Sequence, residues 1–194
     1  MIIKAEAAWT NEPAEWKRDP DGRLIAKACG HTDFWRKTRT GFIAENGHLY
    51  GVPVRGDFVA RVKVTGDFQE LYDQAGLMAM LDKTVWVKAG IEYLDGSYYV
   101  SSVVTRDYSD WAISRPMETP TLWLLMERDR DAMLISASFD GKEFFTVREC
   151  TLTDEWMLEV GPYLAAPNGA GFVAYFEGFE ICQARQPRHA APIG

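Results

Sequence analysis

Gln74, Trp86, Lys88, Glu92, Tyr99 and Thr105 lie within one short stretch, at spacings that can bring them onto one surface. An aromatic ring stacks on the apolar face of a sugar ring, while amide, ammonium, carboxylate and hydroxyl groups bond its hydroxyls. The chemistry this set supports is recognition of a small polar ligand such as a carbohydrate. Trp35, Trp123, Glu127 and Tyr163 are further candidates for the same face. The competing reading is a solvated sheet face, on which a Lys88–Glu92 pair would contribute ~0–1 kcal/mol. For any single tryptophan it is core packing. Trp111 shares its parity with Ile113 and is expected in the core.

Other chemistries have less support. The three histidines, His31, His48 and His189, are not paired at metal-ligand spacing, and no EF-hand-like acidic run occurs. Asp129, Asp131 and Asp140 read as solvated turn residues, and Asp33 beside His31 as a turn or cap. No serine sits in a nucleophile-elbow motif, and there is no glycine-rich phosphate loop. No metal and no cofactor is expected.

The elements that must position the candidates run from Tyr72 to Thr105. Residues 85–93 alternate: Val87, Ala89, Ile91 and Tyr93 face one way, Trp86, Lys88, Gly90 and Glu92 the other. In 73–81 both parities are apolar, so turn geometry has to decide. A three-residue loop, Asp82-Lys83-Thr84, pairs Met80 with Trp86, Met78 with Lys88, Gly76 with Gly90 and Gln74 with Glu92, and sets Leu81 against Val85. A two-residue loop would push Lys88 and Glu92 among Leu77 and Ala75, and burying them unpaired would cost roughly several kcal/mol. Asp95-Gly96 is a type I′ hairpin signal. It pairs Glu92 with Tyr99, Gly90 with Ser101, Lys88 with Val103 and Trp86 with Thr105. The facing pair Gly76 and Gly90 is expected to leave a shallow dip.

Along the rest of the chain, short alternating runs separated by glycine, proline and Asx turns predict about thirteen strands and no amphipathic helix, a sandwich or barrel. Trp111–Ser114 is expected as a short strand, with Pro116 and Pro120 bracketing a loop. The chain has 194 residues, 47% hydrophobic, 25% charged and 13% aromatic, in keeping with one β domain. Residues 1–182 are expected to form it and residues 183–194, with Pro187 and Pro192, a tail. A net charge of −7 argues against nucleic acid and an anionic membrane surface as partners. Cys29, Cys150 and Cys182 are odd in number and far apart, which suits reduced thiols of a cytoplasmic protein. No signal peptide and no membrane span is read in the chain.

Several motifs then carry a resemblance. TDFW (Thr32–Trp35), YDQAGLM (Tyr72–Met78), WVKAGIE (Trp86–Glu92), VVT…SDW (Val103–Trp111), SFDG (Ser138–Gly141) and VGPYLAAP…GF (Val160–Phe172) together resemble a domain-of-unknown-function family. That family is labelled regulation of enolase protein 1-like and placed in the concanavalin A-like lectin/glucanase superfamily. The resemblance implies an all-β, concanavalin A-like jelly-roll sandwich of two curved antiparallel sheets, with a concave face that often binds glycans. Fold does not fix function. Related glucanases carry E-x-D-x-x-E on one strand; here Glu92 and Asp95 have opposite parity and the motif is absent. Only Glu92 with Glu127, from separate strands, could supply the carboxyl pair, about 5–5.5 Å apart, of a retaining glycosidase. The expectation is a non-catalytic binding domain. A protein-interaction or regulatory module, as the enolase label implies, and a glycan-active hydrolase remain as alternatives.

Overall fold

Phe58–Gly66 shows how this chain makes its strands: Phe58, Ala60, Val62 and Val64 are buried, while the residues between them are not. The computed structural model describes residues 2, 3 and 5–184. The described residues contain sixteen strands and no helix. They are β1 (Ala8–Thr10), β2 (Glu15–Arg18), β3 (Leu24–Lys27), β4 (Phe34–Arg36), β5 (Ile43–Glu45), β6 (His48–Arg55), β7 (Phe58–Gly66) and β8 (Gln74–Asp82). There follow β9 (Val85–Leu94), β10 (Ser97–Arg106), β11 (Tyr108–Met117), β12 (Thr121–Asp129), β13 (Ala132–Ser138), β14 (Phe145–Thr151), β15 (Met157–Ala165) and β16 (Val173–Gln183). The excess over thirteen comes from pieces such as β1 and β5, three residues each, too short to show a period.

Two seven-stranded sheets stack as a jelly-roll sandwich. The front sheet runs β1-β6-β15-β8-β9-β10-β11, the back sheet β14-β13-β12-β7-β16-β3-β2, and β4–β5 form a separate hairpin. Between the sheets, Leu77, Val87, Ile91 and Val160 from the front meet Phe58, Val62, Leu124 and Phe176 from the back. A second apolar cluster lies on the outer face of the front sheet: Phe34, Leu49, Met78, Met80, Trp86, Val103 and Tyr163. β8 is therefore buried on both faces, which is why its two parities were equally apolar.

The register of β8–β9–β10 is as predicted from Gln74↔Glu92 to Met80↔Trp86, and from Glu92↔Tyr99 to Trp86↔Thr105. Asp95 and Gly96 have φ of 47° and 85°, as a type I′ turn demands. One detail differs. Asp82, not Leu81, faces Val85, with an irregularity after Met80. Asp82 Oδ1 accepts hydrogen bonds from Thr84 N (2.7 Å), Thr84 Oγ1 (2.7 Å) and Val85 N (3.0 Å), which draws the aspartate into the turn. Lys88 and Glu92 are buried after all, but on the outer face and with partners. Pro116 does not open the loop; within β11 it pairs with Tyr99 of β10, and its missing N–H is tolerated because β11 is an edge strand.

The expected glycine dip is also corrected. A Cβ on Gly90 would collide with the Ala75 carbonyl, and one on Gly76 with the Ala89 carbonyl. These glycines serve close approach of two backbones. At the C-terminus, Gln183 ends β16 and Ala184 N–H donates to Asp57 O (3.1 Å). Residues 185–194 of the expected tail lie outside the described residues.

Candidate functional site

The outer face of the front sheet is half covered. The segment from Gly30 to Gly47, containing the β4–β5 hairpin, folds over it as a flap. Thr32 Oγ1 donates to Cys29 O (2.6 Å) and accepts from Ala166 N (3.1 Å), which fixes the flap's first end. Arg36 N donates to Ser109 Oγ (2.9 Å), Thr38 Oγ1 to Ser109 O (2.6 Å), and Lys37 Nζ lies 2.6 Å from Asp107 Oδ2. Phe34 packs on Trp86, their ring centroids 6.1 Å apart. The uncovered remainder is a pocket of about 690 Å³.

Its floor is polar and nearly dry. Lys88, 2% exposed, donates from Nζ to Asp33 Oδ1 (3.1 Å) and Phe34 O (2.7 Å). Its ammonium also lies 5.4 Å from the Trp86 ring centroid and 5.8 Å from that of Tyr163, within cation–π range. Gln74 Nε2 donates to Asp33 Oδ1 (3.3 Å) and Tyr72 O (3.2 Å). Glu92 Oε2 accepts from Trp111 Nε1 (2.9 Å). Burial raises the Glu92 carboxyl above its usual range, against the opposing pull of bonds from Ser101 and Trp111 and of the Lys88 charge. Removing either partner of the buried Lys88–Asp33 pair would leave a stranded charge, at a cost of about 3–5 kcal/mol.

The walls are aromatic. Trp35 and Phe42 come from the flap, Trp111 from β11, and Tyr72 from the β7–β8 connection. Tyr72 meets Trp111 edge-on at 6.3 Å. Tyr72 sits at a φ of 72°, an uncommon backbone state for a bulky residue, next to the strand that supplies Gln74. Arg39 and Asn168 complete the rim. Polar groups at the base of an aromatic-walled cleft can hold a small polar molecule by stacking and by hydrogen bonds. Among the described residues, no three His, Cys, Asp or Glu side chains are placed to hold a metal ion. Among the described lining residues the one serine hydroxyl, Ser109 Oγ, is occupied by Arg36 N and Thr105 Oγ1.

Of the ten predicted residues, the pocket brings together Trp35, Gln74, Lys88 and Glu92. Trp86, 1% exposed, shares their face but lies under Phe34, so it supports Lys88 and offers no platform. Tyr163 is likewise buried in the cluster beneath the flap, and Thr105 is buried and bonded to Ser109. Tyr99 is half-buried opposite Glu92, outside the pocket lining. Trp123 and Glu127 are on the back sheet. Leu122, Leu124 and Met126 from the same strand are core, so Trp123 and Glu127 point away from the sandwich, with Lys63 Nζ 5.3 Å from the Trp123 ring. Glu92 and Glu127 cannot converge across two sheets.

Sequence reasoning missed Asp33, Trp111, Tyr72 and Arg39. Asp33 does cap a turn, accepting from Phe34 N (2.7 Å), yet the same oxygen anchors Lys88. Trp111 is 41% exposed and faces the pocket, not the core. The one-residue turn at Asp107, φ 64°, which no sequence signature marks, pairs Val103 with Trp111 and so puts Trp111 on the Lys88 face.

Residues 9–184 match the family described as protein of unknown function (DUF1349). Over 191 residues the chain is 33% identical to "Regulation of enolase protein 1" of Saccharomyces cerevisiae, covering 98% of this chain and 92% of that protein. A crystal structure of a functionally unknown protein from Saccharomyces cerevisiae superposes with a TM-score of 0.89 at 31% identity, over 93% of this chain and 98% of that one. A GH43 protein from Bacillus licheniformis superposes with a TM-score of 0.73 at 15% identity, over 92% of this chain but 37% of that one. That likeness concerns the fold, a concanavalin A-like β-sandwich.

Proposed function

This chain belongs to the DUF1349 family, and on that footing we propose that it is a non-catalytic, intracellular binding domain for a small polyhydroxylated ligand of the carbohydrate type. The observation that carries the reading is the pocket's division of labour. A nearly dry floor of Gln74, Lys88, Asp33 and Glu92 lies at the base of a cleft walled by Trp35, Trp111 and Tyr72. Rings stack on such walls, and hydroxyls, which both donate and accept, suit a floor holding carboxyl, amide and ammonium groups side by side. Three free thiols support the intracellular placement. Calorimetric titration with a panel of neutral mono- and oligosaccharides tests the reading. Binding by at least one sugar, weakened roughly tenfold by Trp111→Ala, is the expected result. Sugar affinities that survive Trp111→Ala and Gln74→Ala unchanged would move the site elsewhere.

A regulatory module is the second reading, favoured by the name of the 33%-identical yeast relative, "Regulation of enolase protein 1". Affinity capture separates the two. A stoichiometric protein partner whose binding ignores sugars and Trp111→Ala supports regulation by another surface.

A further inference from the structure

The charges around the pocket are unevenly answered. Lys88 is paired with Asp33 at 3.1 Å, and Asp110 at the rim with Arg148 at 3.1 Å. Burial disfavours the ionised form of Glu92. Arg39 is exposed at the pocket mouth and, among the described residues, makes neither an ion pair nor a side-chain hydrogen bond. Arg36, Lys37 and Lys83 gather at the flap and are bonded by the carboxylates Glu45 and Asp107, with Asp82 close enough to feel the Arg36 charge; Arg39 shares none of these partners. An arginine at a pocket mouth without a carboxylate partner among the described residues stands out in a chain whose net charge is −7.

Arg39 is also held in place. Lys37 N donates to Phe42 O (2.7 Å) and Gly41 N to Lys37 O (2.6 Å), closing a tight tip. Lys37, Arg39 and Gly41 have φ of 57°, 72° and 76°. A non-glycine residue in the left-handed region is uncommon. Here it fixes the backbone from which Arg39 joins the lining of the pocket.

We propose that the ligand of this pocket is an acidic one: a polyhydroxylated ring carrying a carboxylate or phosphate that Arg39 engages at the mouth. The proposal rests on the binding reading above and adds the charge of the ligand to it. A planar guanidinium answers either anion with two parallel hydrogen bonds.

Calorimetry with matched probes tests it: D-glucose, D-glucuronate, D-glucose 6-phosphate, D-galactose and D-galacturonate. At least one acidic probe should bind about fivefold or more tighter than its neutral parent. The preference should shrink when salt is raised from about 0.05 to about 0.5 M. Arg39→Gln, with its melting temperature confirming a folded chain, should bring the acidic-to-neutral ratio close to one. Preference for the glucuronate or galacturonate assigns a carboxylate, preference for the phosphate ester a phosphate. Equal binding of acidic and neutral probes, or a preference that Arg39→Gln leaves intact, overturns the inference; if Trp111→Ala still weakens those probes, the binding reading stands without it. Failure of every probe to bind wild-type protein at millimolar concentration overturns both.

Discussion

Glu92 carries its carboxyl to a place where little water reaches it, and this shapes how the protein responds to pH. Its folded pKa lies above the usual 4.5, chiefly through desolvation. A carboxyl raised in this way favours the folded state most below its unfolded value, and the contribution is lost as pH rises through the folded value. Glu92→Gln removes the titration. The melting temperature of Glu92→Gln relative to wild type should therefore climb as pH goes from about 4 to about 7. A constant or falling difference across that range would show that the carboxylate is well solvated or paired. Some of this chemistry was legible beforehand. Gln74, Lys88 and Glu92 follow from parity within paired strands. Asp33 does not, because its partner Lys88 is 55 residues away, and a capping aspartate looks the same in sequence whether or not it also anchors a lysine.

At the scale of elements, turn chemistry determined what could be read. Asp95-Gly96 fixes the β9–β10 register through positive φ at both centres, and the sheet obeys it residue by residue. The turn before β11 has a single residue, Asp107, and carries no such signature, so Trp111 was placed on the wrong face. The three-residue β4 and β5 are too short to display alternation, so the flap itself could not be foreseen. Where β8 meets β9, the backbones approach so closely that a Cβ on Gly90 strikes the Ala75 carbonyl. Backbone cannot swing aside as a side chain can. Gly90→Ala should destabilise the protein by ~1–3 kcal/mol, read as a lower urea midpoint. An unchanged midpoint would mean that the two strands separate freely there.

For the whole molecule, His48 joins distant parts. Its Nε2 accepts from Cys29 N (3.0 Å) and its Nδ1 faces Asn11 O at 2.6 Å, so the neutral Nδ1–H form serves both. Burial lowers its pKa from 6.5. The folded state thus gains from the neutral ring above 6.5, and the gain is lost as pH falls through the lowered value. Unfolding free energy should decline between pH about 6.5 and about 5 in wild type, and this part of the slope should vanish in His48→Gln. Matching slopes would exclude the histidine as the cause. Sheet membership, unlike parity, is a property of the complete topology, which is why Trp123 and Glu127 belong to the back sheet and not to the face expected of them. The flap has one more consequence, for how such a chain can change over generations. β8 and β9 serve the core on one side and the pocket on the other, so few substitutions there can be neutral. The tip at residues 37–42 adds nothing to either apolar cluster and is tied down mainly through its two ends. Variation in those six residues can reshape the mouth of the pocket while the sandwich stays as it is, which leaves that mouth free to drift separately from folding.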